Sequence, residues 1–461
     1  MGRLFGTDGV RGIANEKLDV ELALAISRAA GMIIKNEGAD HPRIIVGRDT
    51  RLSGMMLETA VASGLASVGC DVELLGVVPT PAVAYLVKKL GADGGVMITA
   101  SHNPYQYNGI KYFGSTGFKL TDEQEDRIER IILDGAEPIA LAATDKIGRI
   151  SVHSEFVDLY AEHIASAVGD LSGLKVAVDC ANGASYEVAK KIFGKANADA
   201  VFVNVEPDGV NVNRDCGSLF VKNLGAFVRE NGFDLGVAFD GDADRCLAVD
   251  EKGDVMDGDV IMAILAKRFA DEGRLSKKML IPTVMSNMGL FKFAEANGIA
   301  CFPTKVGDRY VLESMLKFGA NLGGEQSGHV ILTDYMTTGD GELTGLMLAE
   351  TLKLSGKKAS ELRKVMTIYP QVLVNIEATA EMKRHLDDSE VRAYLDLETG
   401  KMEGEGRILV RPSGTEPLIR VMVEGKDEEK IHALVNECVE TLKILLNENN
   451  EAGHEIFERL D

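Results

Sequence analysis

The sequence lacks the features that mark secreted, membrane-spanning and nucleic-acid-binding proteins. Its N-terminus has no charged segment followed by an apolar stretch, so no secretory signal is predicted. No segment supplies the roughly 18 consecutive apolar residues of a membrane span. No basic run interrupts a composition of 71 acidic and 50 basic residues, which gives a formal net charge of -21. Because such a charge repels nucleic acid and anionic membranes, we expect neither as a partner.

Cysteine is scarce and dispersed along the chain. No Cys-x-x-Cys pair occurs, so the sequence predicts neither a zinc site nor a disulfide framework. These properties favour a reducing cytoplasm as the location. The six cysteines are Cys70, Cys180, Cys216, Cys246, Cys301 and Cys438.

The 461 residues, 45% of them hydrophobic, suffice for several cores. Helical and extended patterns alternate along most of the chain, and this rhythm restarts near Lys175 and near Met279. The last hundred residues have a different order of elements. We therefore predict three similar mixed α/β domains and a smaller C-terminal α+β domain. The predicted domains are residues 1–152, 153–255, 256–368 and 369–461.

Particular elements follow from the same patterns. In the third module, which is the predicted domain of residues 256–368, we predict strands over Met279–Val284 and Ala300–Pro303. In the last domain we predict one helix over Met382–Leu395 between strands Gln371–Ile376 and Arg407–Val410. A long helix over Glu428–Asn447 ends the domain.

The first polar motif is TASHNP, residues 99–104, which follows the apolar run 94–98. A serine-hydrolase elbow requires Gly-x-Ser-x-Gly, and the residues that flank Ser101 do not match it. Ser101 could instead carry a phosphate, or it could only form a turn. His102 and Lys111 lie close enough in sequence to reach the same pocket, although a structural histidine and a solvated lysine are the common alternatives.

The second motif is FDGDADR, residues 239–245, which begins at the end of a predicted strand. Asp240, Asp242 and Asp244 alternate with small residues, so their carboxylates can face one way. Such a group suits a hard divalent cation such as Mg²⁺. The alternatives are a solvated acidic turn and an EF-hand loop, but the apolar Cys-Leu-Ala-Val that follows Arg245 disfavours the EF-hand. We therefore favour a metal site.

Three further loops are rich in polar residues and glycine. RPSGTEPLIR, residues 411–420, offers two guanidiniums and small donors to a phosphate, or forms an ordinary turn. GGEQSGH, residues 323–329, suits hydrogen bonding to sugar hydroxyls, or joins two strands as a hairpin. FGTDGVRG, residues 5–12, is a polar N-terminal loop that is weak evidence for a functional site by itself.

A serine beside three aspartates indicates phosphoryl transfer rather than acyl transfer.

These five motifs, in this order and over essentially the whole chain, resemble those of the α-D-phosphohexomutases. The GTDGVRG opening and Gln326 are most similar to the bacterial phosphoglucosamine mutases, which interconvert glucosamine 6-phosphate and glucosamine 1-phosphate for UDP-N-acetylglucosamine and cell-wall precursor synthesis. The resemblance implies four domains around one central active-site cleft. It also implies a monomer or homodimer that takes a phosphosugar as substrate.

The resemblance also implies a role for each motif. Ser101 would be phosphorylated and would bind one Mg²⁺ together with Asp240, Asp242 and Asp244. A hexose 1,6-bisphosphate would serve as intermediate and activator. The catalytic set would be completed by Lys111, His102 and Arg11, with Lys111 or His102 as general acid or base. The substrate would contact Arg245, Glu325, Ser327, His329, Arg411, Ser413, Gly414, Thr415 and Arg420.

One stretch departs from the glucosamine enzymes. They commonly carry Cys-Gly-Ser-Thr-His where this chain has Cys-Gly-Ser-Leu-Phe, so Leu219 and Phe220 replace the last two residues. Three other functions stay open at this point. They are a phosphomannomutase or phosphoglucomutase, a non-catalytic phosphosugar-binding protein, and a phosphatase that acts through the same serine.

Overall fold

A computed structural model describes residues 3–6, 8–36, 38, 41–402, 404–413 and 417–446. The chain divides into two compact units. The first contains residues 1–286 and 294–365, and the second contains residues 287–293 and 366–461. Each unit has its own sheets and its own buried apolar core.

The first unit begins with a seven-stranded mixed sheet. Its strands are β1 (Phe5–Gly6), β2 (Gly9–Ile13), β3 (Arg43–Arg48), β4 (Asp71–Val77), β5 (Gly94–Ile98), β6 (Tyr107–Gly114) and β7 (Ile150–Val152). The spatial order is β1-β2-β6-β5-β3-β4-β7. β3 runs parallel to β4 and β5, whereas β6 is antiparallel to β5 and β2. The turn from β5 to β6 contains TASHNP, and this places Ser101 at the end of a wholly buried strand.

Helices pack against this sheet through their apolar faces. They are α1 (Val20–Asn36), α2 (Gly54–Ser67), α3 (Thr80–Leu90) and α4 (Asp122–Asp134), whereas α5 (Val157–Ala165) packs against α3. Their buried side chains, such as Ile26 and Leu57, join those of Ile44 and Val96 from the sheet in one core. α4 begins at a capping box in which Thr121 and Gln124 satisfy each other's backbone N–H groups.

A five-stranded sheet follows in the same unit. Its strands are β8 (Lys175–Asp179), β9 (Asp199–Val203), β10 (Leu235–Phe239), β11 (Cys246–Asp250) and β12 (Val255–Met256), and its helices are α6 (Val188–Lys195), α7 (Val221–Asn231) and α8 (Gly258–Asp271). The order is β12-β11-β10-β8-β9. β10 and β11 form an antiparallel pair, with Phe239 opposite Cys246. The aspartate motif is the short connection between these two strands.

The third module has shorter strands than the sequence predicts. Its strands are β13 (Met279–Leu280), β14 (Ala300–Cys301), β15 (Leu322–Gly324) and β16 (Val330–Leu332), and the helices of this region are α9 (Met288–Ala296), α10 (Asp308–Phe318), α11 (Gly341–Ser355) and α12 (Ala359–Leu362). The pairing of β13 with β14 ends after two residues and continues only as an isolated bridge between Thr283 and Thr304. Pro282 and Pro303 have no N–H to donate to a ladder, which explains the early end.

The second unit contains an antiparallel sheet covered by helices. Its strands are β17 (Gln371–Glu377), β18 (Gly406–Pro412) and β19 (Leu418–Gly425) in the order β17-β19-β18, and its helices are α13 (Ala380–His385), α14 (Ser389–Lys401) and α15 (Glu428–Leu445). The single helix predicted over Met382–Leu395 is wrong, because α13 and α14 are separate. Asp387 and Asp388 stand between them, and aspartate favours helix caps over helix interiors.

These sheets with their packed helices, together with the C-terminal α+β unit, confirm the predicted fold class. Within the described part of the chain, no helix combines the length and apolar character needed to cross a membrane.

Candidate active site

Ser101 occupies an unusual backbone conformation at the end of β5. Its φ is +51°, in the left-handed region that L-amino acids other than Asn and Asp rarely adopt. The side chain is buried, and Oγ donates a hydrogen bond to Asp240 Oδ2 over 2.6 Å. His102 Nδ1 lies 3.3 Å from the same Oγ. The serine motif of the first sheet and the aspartate motif of the second are therefore in direct contact.

The three aspartates converge as their spacing predicts. Asp240, Asp242 and Asp244 are buried, and one oxygen from each lies within 4.8 Å of the others. Ala243 has a φ of +55°, and its N–H donates to the carbonyl oxygen of Asp240, so the loop is tightly turned. Burial and the charges of Asp244 and Asp242 together raise the pKa of Asp240 well above its ordinary value.

Two oxygens of this cluster are available to bind a cation. Asp242 Oδ1 and Asp244 Oδ1 are buried and have no hydrogen-bond partner. A buried carboxylate oxygen without a partner is costly, and a divalent cation that takes oxygen ligands removes that cost. The donor set therefore fits a metal ion such as Mg²⁺.

Lys111 brings a positive charge into the cluster from β6. Its Nζ lies 2.8 Å from Asp242 Oδ2, 2.9 Å from Asp8 Oδ2 and 3.5 Å from Asp244 Oδ2. Burial disfavours the ammonium charge, but Asp242, Asp8 and Asp244 outweigh burial and raise the pKa of Lys111 well above its ordinary value. Lys111 is thus a fixed cation of the site.

Four further residues join this network, and the sequence did not reveal them as site residues. Thr80 Oγ1 donates to Asp242 Oδ2 over 2.5 Å. Lys119 forms ion pairs with both Asp8 and Asp308. Asp8 belongs to the FGTDGVRG motif, whereas the other three stand alone in sequence. Only the fold brings Thr80, Lys119 and Asp308 to the cluster, so no local pattern could have indicated these three.

Arg11 and Arg245 border the cluster. Arg11 lies on β2, pairs with Asp8 and donates to Asn103 Oδ1 over 3.4 Å. Arg245 Nε lies 3.9 Å from Asp244 Oδ1 and has no hydrogen-bond partner. Burial first, and then the charges of Arg245 and Arg11, lower the pKa of His102 to about 3. His102 is therefore a neutral base beside Ser101.

The GGEQSGH motif forms the turn between β15 and β16. His329 is buried, and its Nε2 lies 4.0 Å from Asp244 Oδ2, so this motif also reaches the cluster. Glu325 Oε1 accepts a hydrogen bond from the Gly307 N–H over 3.0 Å. Ser327 is exposed. The amide of Gln326 donates to Asp257 Oδ2 over 3.2 Å, at the N-cap of α8.

The RPSGTEPLIR motif lies in the second unit. Arg411 on β18 stands directly opposite Arg420 on β19. Two like charges at such a position destabilise a sheet, whereas an anion shared between them would offset the repulsion. Ser413 is buried, and its N–H donates to the carbonyl oxygen of Leu418 over 2.8 Å. Gly414 and Thr415, the other predicted members, lie outside the described residues.

The turn that contains Leu219 and Phe220, the two residues that differ from the glucosamine enzymes, is hydrogen-bonded to the five-stranded sheet. Both side chains are exposed, at 54% and 40%. The N–H of Gly217 still donates to Asp179 Oδ2 over 2.8 Å, at the end of β8. The substitutions therefore change the surface of the loop rather than its attachment to the sheet.

Four family models match the chain in succession. They are the phosphoglucomutase/phosphomannomutase alpha/beta/alpha domains I, II and III, over residues 2–138, 155–253 and 257–369, and the C-terminal domain over residues 373–441. The chain belongs to the phosphoglucomutase/phosphomannomutase family. The predicted family resemblance is thereby confirmed.

Curated relatives place the chain more narrowly within the family. A phosphoglucosamine mutase from Acetivibrio thermocellus is 52% identical over 446 residues, covering 96% of this chain and 99% of the relative. A phosphoglucosamine mutase from Clostridium novyi is 51% identical over 438 residues, covering 95% and 97%.

Solved structures of the family share the fold. A phosphoglucomutase/phosphomannomutase family protein from Burkholderia thailandensis has a TM-score of 0.82 at 24% identity, covering 97% of this chain and 98% of its own. A putative phosphomannomutase from Thermus thermophilus has a TM-score of 0.77 at 25% identity, covering 95% and 98%.

Proposed function

We propose that the protein is a phosphoglucosamine mutase that interconverts glucosamine 6-phosphate and glucosamine 1-phosphate. The contact between Ser101 Oγ and Asp240 is the observation that carries the mechanism, because it joins a hydroxyl to a carboxylate cluster that could hold a metal ion. The curated relatives, which are phosphoglucosamine mutases at about 50% identity over nearly the whole chain, support the amino sugar as substrate.

The proposed reaction has two phosphoryl transfers. Phosphorylated Ser101 gives its phosphoryl group to O1 of glucosamine 6-phosphate. The bond from phosphorus to Oγ breaks and a bond to O1 forms, while the O1 hydroxyl loses its proton and Oγ gains one. The sugar is then a 1,6-bisphosphate. After it turns around in the site, the 6-phosphoryl group returns to Oγ, and glucosamine 1-phosphate leaves. Retention of the intermediate separates such a mutase from a phosphatase.

The chain's own residues position and stabilise these groups. Asp240, Asp242 and Asp244 would hold Mg²⁺, which when bound would neutralise charge on the transferring phosphoryl group. Lys111, Arg11 and Arg245 add fixed positive charge around the same group. His102 Nδ1, at 3.3 Å from Oγ, is placed to exchange the proton of the serine hydroxyl.

The remaining motifs would bind the sugar and its second phosphate. Glu325 and Ser327 would bond to sugar hydroxyls, with His329 beside them. Arg411 and Arg420 would share the phosphate that is not transferred, with Ser413, Gly414 and Thr415 as further donors. We also propose the four-domain division at residues 152, 255 and 368, with one motif loop contributed by each domain.

A coupled assay tests the proposed substrate. The purified protein is supplied with Mg²⁺, a catalytic amount of glucose 1,6-bisphosphate and one of three substrates, namely glucosamine, glucose or mannose 6-phosphate. We expect the highest kcat/KM for the amino sugar. A preference for glucose or mannose would keep the mechanism and overturn the substrate, whereas no turnover of any of the three would support a binding protein instead.

A further inference from the structure

A buried arginine outside the proposed mechanism contacts the backbone of the serine loop. Arg51, in the turn between β3 and α2, is only 2% exposed. Its Nε donates to Asp49 Oδ2 over 2.8 Å. A guanidinium has five N–H donors. The other four are used on backbone carbonyl oxygens, at 2.8 Å to Ser101, 2.8 Å to Asn103, 2.5 Å to Pro104 and 3.0 Å to Tyr107.

The same loop receives hydrogen bonds from Asn213, in the connection between β9 and α7. Asn213 Nδ2 donates to the carbonyl oxygen of Ser101 over 2.9 Å and to that of Asn103 over 3.2 Å. A Cβ on Gly241, in the aspartate loop, would lie only 2.6 Å from the Ser101 oxygen. The carbonyl of Ser101 is therefore enclosed by Arg51, Asn213 and the backbone of Gly241.

The amide side of Ser101 is fixed through the same aspartate. The Ser101 N–H donates to Thr99 Oγ1 over 2.9 Å, and Thr99 Oγ1 donates to Asp49 Oδ2 over 2.7 Å. Asp49 thus orients both Thr99 and Arg51. Since a left-handed φ is disfavoured for serine, the hydrogen bonds on both sides of the residue are what select it.

We propose that Arg51 is a positioning residue, which holds Ser101 in the left-handed conformation that directs Oγ at Asp240. This inference rests on the proposed function, since it concerns the residue that carries the phosphoryl group. Arg51 does not touch the reacting atoms, because all five of its donors are used on Asp49 and the loop backbone. Arg51 acts on the position of Ser101 Oγ. Misplacement of a reacting atom lowers the rate of phosphoryl transfer more than it lowers the affinity for the substrate.

Arg51→Lys tests this role because it keeps the charge and loses the geometry. A lysine has three donors on a single atom at the end of a flexible stem, so it cannot reach four carbonyl oxygens at once. The experiment measures the phosphorylation of Ser101 by rapid quench and intact mass, with glucose 1,6-bisphosphate and Mg²⁺. We expect the maximal rate constant to fall about 100-fold, with the half-saturating bisphosphate concentration changed by about threefold or less.

Asn213→Asp is a second variant that approaches the loop from the other side. Aspartate has the same size and the same tolerance of the left-handed φ of +58° at this position, but it replaces a donor by an acceptor. We expect the maximal rate constant to fall about tenfold. Arg268→Lys is the matched control, since Arg268 is also largely buried but bonds to Glu272, Glu350 and Thr351. It should phosphorylate at the wild-type rate.

Thermal unfolding of every variant accompanies the kinetics. If Arg51→Lys does not fold, Asn213→Asp decides the question. Suppose that the wild type is active and both variants fold. If Arg51→Lys and Asn213→Asp are then phosphorylated at the wild-type rate, or differ from the wild type only in the half-saturating bisphosphate concentration, this inference is overturned and the proposed function is not. A wild-type protein that takes up no phosphate would overturn the proposed function and this inference with it.

Discussion

Ser101 Oγ and Asp240 Oδ2, which lie 139 residues apart in sequence, are 2.6 Å apart in the structure. The serine lies three residues after a strand of the seven-stranded sheet, and the aspartate directly follows a strand of the five-stranded sheet. Both strands are buried along their whole length, so the two side chains are fixed by rigid elements. A hydroxyl held against a buried carboxylate cluster suits phosphoryl transfer.

Ser101→Ala should abolish turnover while the protein stays folded. The change removes the oxygen that would carry the phosphoryl group, and loss of a nucleophile lowers kcat by about 10⁴-fold or more. The coupled assay with glucosamine 6-phosphate measures this effect. Ser172→Ala, at an exposed serine, is the control and should retain full activity. Substantial turnover by Ser101→Ala would show that another group receives the phosphate.

Asp242→Asn should weaken Mg²⁺ binding. The variant removes the negative charge of one carboxylate and leaves a single neutral amide oxygen, which is a weaker ligand to a hard cation. We expect the dissociation constant to rise by about 100-fold or more, since even groups outside the ligand shell contribute 10- to 100-fold. Isothermal titration of Mg²⁺ into the protein measures it. Asp254→Asn, an exposed aspartate on the β11–β12 hairpin, should bind as tightly as the wild type.

Gly341→Ala should destabilise the first unit. A Cβ at Gly341 would lie 2.2 Å from the carbonyl oxygen of Arg245, next to the aspartate loop. We expect the free energy of unfolding to fall by about 2 kcal/mol, as for other overpacked positions. Urea unfolding measures the change. Gly345→Ala, one turn further along α11, is the control, because its Cβ would meet its nearest neighbours at 3.5 Å. Equal stabilities of the two variants would contradict the close approach.

A buried tyrosine contacts two buried carboxyl groups. Tyr160 Oη lies 2.8 Å from Asp340 Oδ2 and 2.8 Å from Glu342 Oε2. The tyrosine has one hydrogen to donate, so one carboxyl group must be protonated for both contacts to be hydrogen bonds. Burial raises the pKa of Asp340 to about 7, and burial together with the charge of Asp340 raises the pKa of Glu342 well above its ordinary value.

Glu342→Gln should therefore change the pH dependence of stability. A carboxyl group with a raised pKa in the folded state binds its proton more tightly there than in the unfolded chain, so it favours folding at acidic pH. That contribution falls as the pH rises above the ordinary glutamate pKa of about 4 towards the raised pKa of Glu342 in the folded state, by about 1.4 kcal/mol per proton and pH unit. Because glutamine stays neutral, the variant should gain stability relative to the wild type between pH 5.5 and pH 8.

Unfolding in urea at these two pH values measures the difference between the variant and the wild type. Glu230→Gln makes the same chemical change at an exposed position, and its stability relative to the wild type should not depend on pH. A Glu342→Gln variant that loses stability equally at both pH values would show that Glu342 is ionised in the folded protein.

Much of the site could be predicted because its motifs lie at the ends of recognisable strands. The apolar runs 94–98 and 235–239 predict buried strands, and the polar residues that follow them emerge at the strand ends. The convergence of the aspartates follows from their spacing. The closeness of Lys111 to Ser101 in sequence predicts that it reaches the site, although the sequence does not predict the strand that carries it. Its Asn-Gly pair at residues 108–109 is typical of a turn rather than of a strand.

The rest of the network depends on tertiary structure alone. Thr80, Lys119 and Asp308 have no neighbours in sequence that mark them, and a lone charged residue is usually solvated. Arg51 is a similar case, since nothing in the surrounding sequence shows that four of its five donors bond to a loop some 50 residues away. The hydrogen bond from Gln326 to Asp257 also depends on tertiary structure. That Gln326 favours an amino sugar as substrate stays a prediction.

The most direct test of the account follows one phosphoryl group. Protein labelled with ³²P on Ser101 is mixed with glucosamine 6-phosphate and Mg²⁺, quenched at millisecond intervals, and separated into protein, sugar phosphates and inorganic phosphate. The account predicts that label leaves the protein at least as fast as kcat and enters glucosamine 1,6-bisphosphate and then glucosamine 1-phosphate. Label that stays on Ser101 or passes to inorganic phosphate at the rate of turnover would contradict the account.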